Sequence, residues 1–268
     1  MARGFLLLCA LLVGGAAAHA AAHAASTSSV YLEELTWPEL RADIAAGKTT
    51  ILVPIGGTEQ NGPQMALGKH NVRVHVLAAK IATALGDALV APVIAYVPEG
   101  NIDHPEGHLK FPGTITIPVG AFEQTLEYAA KSFKLAGFRN IVFLGDHGGY
   151  QKADEAVAQR LDREWAGTPA RAFALYEYYK AGEIEFAQLL KSKGYSEAEI
   201  GTHAGLLDTS LMMATDPSLV RDDLLGQTKP GDGVHGDPRR SSAALGQLGV
   251  DLTVTRTVAA IRNDVAHR

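Results

Sequence analysis

Two segments that lie far apart along the chain contain residue types that bind metal ions. In the first, an apolar run over Ile51–Ile55 leads into a glycine-containing loop that carries Glu59 and His70. In the second, an apolar run over 141–144 leads into Gly-Asp-His-Gly-Gly, whose histidine is His147. Because ligands collect beyond the carboxyl ends of the strands in open α/β sheets, we expect the two segments to form one site.

One carboxylate and two imidazoles from Glu59, His70 and His147 would suit a catalytic zinc ion that keeps one position for water. Such an ion supplies Lewis-acid chemistry and makes its bound water more acidic. Each residue also has a simpler interpretation, since Glu59 could cap a helix and His70 could be an exposed loop residue. The position of His147, between Asp146 and two glycines directly after a buried strand, favours a metal ligand.

A second candidate pair for chemistry is formed by His203 and Asp208. A histidine and a carboxylate five residues apart can meet across a turn from loop to helix, and either could transfer protons. The same spacing is compatible with a helix cap and a solvated aspartate. Two other histidines, His104 and His108, lie in a long loop and have the same ambiguity.

The N-terminal segment has the pattern of a secretory signal peptide over residues 1–24, with a basic start, a short apolar stretch and small residues before the cleavage site. The alternative is a membrane anchor, but the apolar run is shorter than the roughly twenty residues that span a bilayer. The single cysteine, Cys9, lies in this segment, so the mature chain would have neither disulfides nor a thiol nucleophile. We therefore predict a periplasmic or secreted protein.

Composition sets the remaining limits. The 268 residues are 47% hydrophobic and 20% charged, which predicts a single domain over residues 25–268 with a large core. The formal net charge is −5 and no basic patch is present, so we expect no nucleic-acid partner, and no membrane contact after signal cleavage. The chain also lacks the G-x-S-x-G motif of serine hydrolases and the lysine of a phosphate-binding loop.

The elements that must position these residues alternate between strands and helices. The run Ile51–Ile55 is continuously apolar, as in a strand covered on both faces, and this favours a central parallel sheet. Further strands are predicted over 89–97, 141–144 and 171–175, and helices over 72–85, 121–136 and 151–165, which indicates an α/β fold. A last helix is predicted over 241–261, with interruptions near Gly246 and Gly249.

Five motifs resemble, in order and spacing, those of the creatininase (creatinine amidohydrolase) family: GGTEQNGPQMALGKHN, HLKFPGTITI, GDHGGYQ, THAGLLDTS and DGVHGDPRRSSAALG. The resemblance implies a three-layer α/β/α sandwich with a mostly parallel central sheet and a homo-oligomeric assembly. It also implies a metal centre that hydrolyses cyclic or linear amide C–N bonds.

Several residues match the family's functional positions. Glu59 stands where the family has its first metal-binding glutamate, and His147 stands at the position of the histidine ligand after the second strand. His203 matches the histidine of the HAG motif, while Asp208 replaces a glutamate and keeps its charge.

Three positions depart from the family pattern. Asn61 replaces a ligand histidine, His70 replaces the aspartate that bridges two metal ions, and Gly149 stands where some members have a further glutamate. Neutral imidazole offers one lone pair and cannot bridge two ions. The departures predict that the family's two-metal site is lost or remodelled, and they favour one ion, zinc with manganese or iron as alternatives, held by Glu59, His70 and His147. Asp146 would be a substitute ligand or would orient a histidine.

Two functions follow as hypotheses. The first is a secreted or periplasmic metal-dependent amidohydrolase acting on a small-molecule amide, in which His203 or Asp208 protonates the leaving nitrogen. The second, motivated by the three departures, is a non-catalytic protein of the same fold that binds a small ligand or a partner.

Overall fold

The computed structural model describes residues 29–266, so the predicted signal peptide and Cys9 lie outside the described residues. The described chain is built on a sheet of four parallel strands in the order β2-β1-β3-β4. The strands are β1 (Thr50–Ile55), β2 (Ala88–Val90), β3 (Asn140–Gly145) and β4 (Arg171–Ala174). The predicted parallel sheet is therefore confirmed.

Helices cover both faces of this sheet because successive residues of a strand point to opposite sides. In β1, Leu52 joins one hydrophobic core, whereas Ile51 and Val53 join the other. The first core is closed by α2 (Lys69–Leu85), α8 (Leu206–Thr215) and α9 (Ala243–Ala266). The second is closed by α1 (Trp37–Ala45), α3 (Val119–Ala136) and α4 (Gln151–Glu164). The three-layer α/β/α sandwich is confirmed.

A broken helical segment after β4 completes the first layer. It consists of α5 (Tyr176–Tyr179), a π-helical turn (Lys180–Glu185) and α6 (Phe186–Ser192), and the short α7 (Glu197–Ile200) follows. Short 3₁₀ turns occur at Leu32–Glu34, Gly107–Lys110, Gly148–Tyr150, Pro217–Leu219, Asp222–Leu224 and Pro238–Arg240. Across residues 29–266, no helix combines the length and apolar character needed to span a bilayer.

Three element predictions were wrong in detail. His70 is not in a loop but in the first turn of α2, which begins at Lys69. The charged side chains of this turn are buried in ion pairs rather than in apolar contacts. Strand β2 ends at Val90 instead of continuing to residue 97, and the nearby Pro92 has no N–H to donate to a ladder.

The predicted interruption of the last helix is also absent, since α9 runs unbroken over Ala243–Ala266. Its glycines allow close packing instead. A Cβ at Gly246 would lie 1.8 Å from the carbonyl oxygen of Ser210 in α8, and one at Gly249 would lie 2.7 Å from the ring of Phe186. Glycine is required here by the proximity of the neighbouring helices.

Candidate active site

A cavity of about 330 Å³ opens beyond the carboxyl ends of β1 and β3, where the sequence predicts the site. Five of the predicted site residues line it, and Glu59 is fully buried close to their side chains. The predicted residues at the wall are His70, Asp146, His147, His203 and Asp208, and they are joined by Gln60, Lys69, His108, Tyr179, Glu183 and His235.

Glu59 is the centre of this arrangement. Its Oε1 lies 2.9 Å from Nε2 of His70, and its Oε2 lies 3.8 Å from Nε2 of His147. One ligand atom from each of these three residues lies within 4.8 Å of the other two, so the structure brings the predicted metal-binding triad together. Glu59 forms a second group of this kind with His108 and His203.

The second oxygen of Glu59 tests whether these residues suit a metal ion. Within residues 29–266 no hydrogen bond reaches Glu59 Oε2, although the side chain is fully buried. Nε2 of His108 lies 3.4 Å away, and that of His147 lies further off. Because a buried carboxylate oxygen without a partner is costly, and because carboxylate and imidazole are ligands of zinc, the residues fit a divalent cation.

His147 follows directly after β3 and is fixed by Tyr150. The Tyr150 hydroxyl accepts from the N–H of His147 at 3.0 Å and donates to the carbonyl of Gly56 at 2.6 Å, which ties the ends of β1 and β3 together. Burial, together with the positive charge on His70, lowers the pKa of His147 to about 3. The ring is therefore neutral at pH 7, as a metal ligand must be.

Glu99 lies behind His147, with Oε1 3.6 Å from Nδ1 of that ring. Burial, and then the charge of Glu59, raises the pKa of Glu99 to about 8, so its carboxyl group is largely protonated at neutral pH. The sequence contained no signal for this residue.

The first turn of α2 carries a cation cluster, which we define as Lys69, His70 and Arg73. All three side chains are buried, and each is paired with carboxylates. Lys69 Nζ lies 3.0 Å from Asp208 Oδ2 and 3.3 Å from Glu59 Oε1. These charges are withdrawn from water, so each of them is stable inside the folded protein only while it is paired with a carboxylate.

Arg73 joins the two aspartates of the site. Its Nε donates to Asp146 Oδ2 at 2.8 Å, its Nη1 donates to Asp208 Oδ1 at 2.8 Å, and its Nη2 reaches Glu183 at 3.0 Å. Tyr178 donates its hydroxyl to the other oxygen of Asp146. The network extends from the cavity to the helical layer below it.

His70 sits between two carboxylates, with Nδ1 2.7 Å from Asp146 Oδ2 and Nε2 2.9 Å from Glu59 Oε1. Burial and the charge of Lys69 lower the pKa of His70, but these two hydrogen bonds prevail and raise it above the ordinary value. Because carboxylate oxygens only accept, both ring nitrogens donate in this arrangement, and His70 must release a proton before it can ligate an ion. Asp146 belongs to neither of the three-residue groups and instead holds His70 and Arg73.

The cation cluster also sets the charge of the carboxylates. Burial would raise the pKa of Glu59, but Lys69 and His70 hold it well below its usual range. For Asp208, burial is likewise outweighed by Lys69 and Arg73, which keep its pKa well below the ordinary value. Both side chains are therefore anionic at neutral pH.

His203 and Asp208 line the same cavity but bind different partners. The Nε2 atom of His203 donates to the carbonyl of Gln60 at 2.9 Å, which leaves Nδ1 facing Glu59 Oε1 at 3.6 Å. Burial, followed by the charge of Lys69, lowers the pKa of His203 to about 4. Asp208 accepts from the N–H of Ala204 at 2.8 Å, and the left-handed backbone of Ala204, with φ of 54°, makes this turn possible.

Sequence reasoning missed several of the charged residues around the site. Lys69 and Arg73 lie on a helix, where charged residues ordinarily face solvent, and neither stands in a known metal-binding pattern. Glu183 gave no signal either. His108 was noted only as an ambiguous loop histidine, although its ring contacts that of His203 with centroids 4.2 Å apart.

The chain is similar to known proteins in sequence and in fold. The model of the family described as creatininase, creatinine amidohydrolase, matches residues 33–261. The creatinine amidohydrolase of Pseudomonas putida is 28% identical over 200 residues, which cover 72% of this chain and 75% of that protein. A mycofactocin precursor peptide peptidase of Mycolicibacterium smegmatis is 30% identical over 222 residues, covering 74% and 78%.

The fold has close counterparts among solved structures. A creatininase mutant described as the Zn-Zn type superposes with a TM-score of 0.71 at 25% identity, and the match covers 89% of this chain and 99% of that one.

Proposed function

The chain belongs to the creatininase family, and from this premise we propose that it is a metal-dependent hydrolase of amide C–N bonds in small molecules. Its relatives are hydrolases, which supports hydrolase activity here. The single observation that carries the proposal is Glu59 Oε2, a buried carboxylate oxygen without a hydrogen bond in the described chain, which faces imidazoles beside an accessible cavity.

Glu59 and His147 would hold the cation, and His70 would join them after losing its proton. A divalent cation bound there supplies Lewis-acid chemistry, which polarises an amide carbonyl and increases the acidity of water. His203 is neutral at pH 7 and lines the cavity, so it can accept a proton and later deliver it to a leaving nitrogen. Asp208 is held as an anion by Lys69 and Arg73, so it is suited to positioning these cationic side chains rather than to donating a proton.

The size and lining of the cavity support a small polar substrate. A volume of about 330 Å³ lies at the low end of the range for small-molecule sites, and the wall is rich in imidazole and carboxylate groups. The relatives are named for creatinine and for a precursor peptide, and we propose an amide of small size for this chain.

A second function is favoured by the cation cluster. Lys69, His70 and Arg73 already neutralise the carboxylates of the site, so no metal ion is needed to balance their negative charge. This supports the alternative of a non-catalytic protein that binds a small ligand or a partner in the same cavity.

Metal analysis and a substrate screen separate the two functions. We would purify residues 25–268, measure bound metal per chain, and assay lactams and linear amides with added zinc, manganese or iron. The hydrolase model expects bound metal and amide cleavage that is lost in His147→Ala. Metal-free protein that cleaves no amide and binds cavity ligands equally well with and without His147 would favour the non-catalytic function.

We further propose export to the periplasm or the medium, and a homo-oligomeric assembly. Export is supported by the sequence pattern of residues 1–24, and its test is fractionation of cells that produce the full chain, followed by mass measurement of the exported protein. Light scattering on the exported protein measures the assembly; intact residues 1–24 in the cytoplasm, or a monomer, would contradict these proposals.

A further inference from the structure

A buried ammonium group lies where the carboxylates of the site converge. The Lys69 side chain is only 1% exposed, and its Nζ contacts both Asp208 and Glu59. We infer that Lys69 is the resident cation of the site: its ammonium fills a cation position between Glu59 and Asp208, and the chain therefore binds no more than one metal ion.

The distribution of hydrogen bonds supports this inference. Glu59, Asp146 and Asp208 together present six carboxylate oxygens, and five of them are hydrogen-bonded: Glu59 Oε1, both oxygens of Asp146 and both of Asp208. In the described part of the chain the sixth, Glu59 Oε2, has no hydrogen-bond partner. Of these three carboxylates, the structure thus leaves one oxygen for an external cation.

The surroundings of the ammonium resemble a ligand set. Besides the two carboxylates, His203 faces Glu59 Oε1 with Nδ1 at 3.6 Å, and its other nitrogen is committed to the carbonyl of Gln60. Two carboxylates and an imidazole lone pair are ligands that divalent transition metals accept. While Lys69 is present, its positive charge opposes a second ion at this position.

The inference rests on the proposed metal site at Glu59, but it does not need catalysis, since the number of bound ions reports on it directly. We would titrate the metal-free protein with Zn²⁺ in equilibrium dialysis and count the bound ions by native mass spectrometry. The variants are Lys69→Met, which removes the charge with little change in volume, and Lys69→Ala, which also opens space. Lys80→Met is the matched control, because Lys80 is exposed on the same helix.

The wild-type protein should bind at most one ion, and Lys69→Ala should bind one ion more. In Lys69→Met the affinity of the Glu59 site for Zn²⁺ should rise by about tenfold or more, because a positive charge 3.3 Å from a ligand oxygen is removed. Lys80→Met should match the wild type. Two ions on the wild-type chain would overturn the inference, and so would unchanged ion number and affinity in both Lys69 variants.

If Lys69→Ala folds poorly, the test rests on the number of Zn²⁺ ions bound by the wild type and on the Zn²⁺ affinity of Lys69→Met. The outcome also separates this inference from the proposed function. A wild-type chain without metal or amidase activity, together with a Lys69→Ala chain that gains one ion, would remove the hydrolase and support the resident cation. If the wild-type chain cleaves amides and binds two ions, the hydrolase would be supported and the resident cation overturned.

Discussion

Oε2 of Glu59 lies 3.8 Å from Nε2 of His147, although the two residues follow different strands of the sheet. The separation leaves space for an atom bonded to both, because zinc lies about 2 Å from each ligand. The carboxyl ends of β1 and β3 are held in this relation by the Tyr150 hydroxyl, which contacts the backbone on both sides.

Glu59→Gln should weaken zinc binding by roughly 100-fold. It removes the anionic ligand that is common to the two three-residue groups, one with His70 and His147 and the other with His108 and His203. Isothermal titration of the metal-free protein measures the change. Glu33→Gln is the control, because Glu33 is exposed and distant from the cavity. Equal zinc affinity in the two variants would refute the assigned role of Glu59.

Arg73→Ala should lower the free energy of unfolding by about 3–5 kcal/mol, because it leaves Asp146 and Asp208 buried with fewer counter-charges. Arg256→Ala is the matched control, since Arg256 is mostly exposed and pairs with Glu185 at 2.8 Å. A surface pair of this kind contributes about 0–1 kcal/mol. Urea unfolding of both variants measures the difference, and similar losses would show that the Arg73 network does not stabilise the fold.

Asp154→Asn should stabilise the protein progressively as the pH rises. Asp154 is 1% exposed, neither of its oxygens has a hydrogen bond in the described chain, and burial raises its pKa well above the ordinary value. The folded state therefore keeps a proton that the unfolded state loses above about pH 4, so stability falls as the pH rises towards the folded pKa.

The gain in Asp154→Asn over the wild type should be larger at pH 8 than at pH 4 by about 1–3 kcal/mol. Urea unfolding at several pH values measures it. Asp103→Asn, in an exposed loop, should show no such trend. A difference between Asp154→Asn and wild type that is constant from pH 4 to pH 8 would contradict the assigned cause.

Gly246→Ala should destabilise the protein by about 1–3 kcal/mol, as overpacking does, because the new methyl group would meet the backbone of Ser210 in α8. Gly120→Ala, in α3 with nothing within 4 Å of its Cβ, should be neutral or stabilising by up to about 1 kcal/mol. Thermal melts of the pair measure this. Equal melting temperatures would mean that α8 and α9 separate readily.

The fold could be predicted from the sequence because hydrophobicity marks the sheet directly. The run at β1 is apolar without alternation, and the structure buries every residue from Thr50 to Ile55. The start of α2 could not be predicted in the same way. Its first turn is buried by the charges of Lys69, His70 and Arg73, which look like a solvated face when their partners are unknown.

Part of the site could also be predicted, because some of its residues follow the apolar strands along the chain. Glu59, His70 and His147 could be singled out by type and by position after strands, and the structure brings them together. Lys69 and Glu99 reach the site only through tertiary contacts, to Asp208 and to His147 respectively. A pattern of spacing along one chain contains no information about such partners.

The π-helical turn at Lys180–Glu185 ties the length of its segment to the charge network. Such a turn accommodates one residue more than a regular α-helix does, and here it carries Glu183 to Arg73. Deleting a single residue would restore regular winding and leave the flanking helices in phase, but it would remove the wide turn that carries Glu183 towards Arg73. Homologous chains that are one residue shorter here must therefore balance their arginine, if they keep one, with an acid from elsewhere.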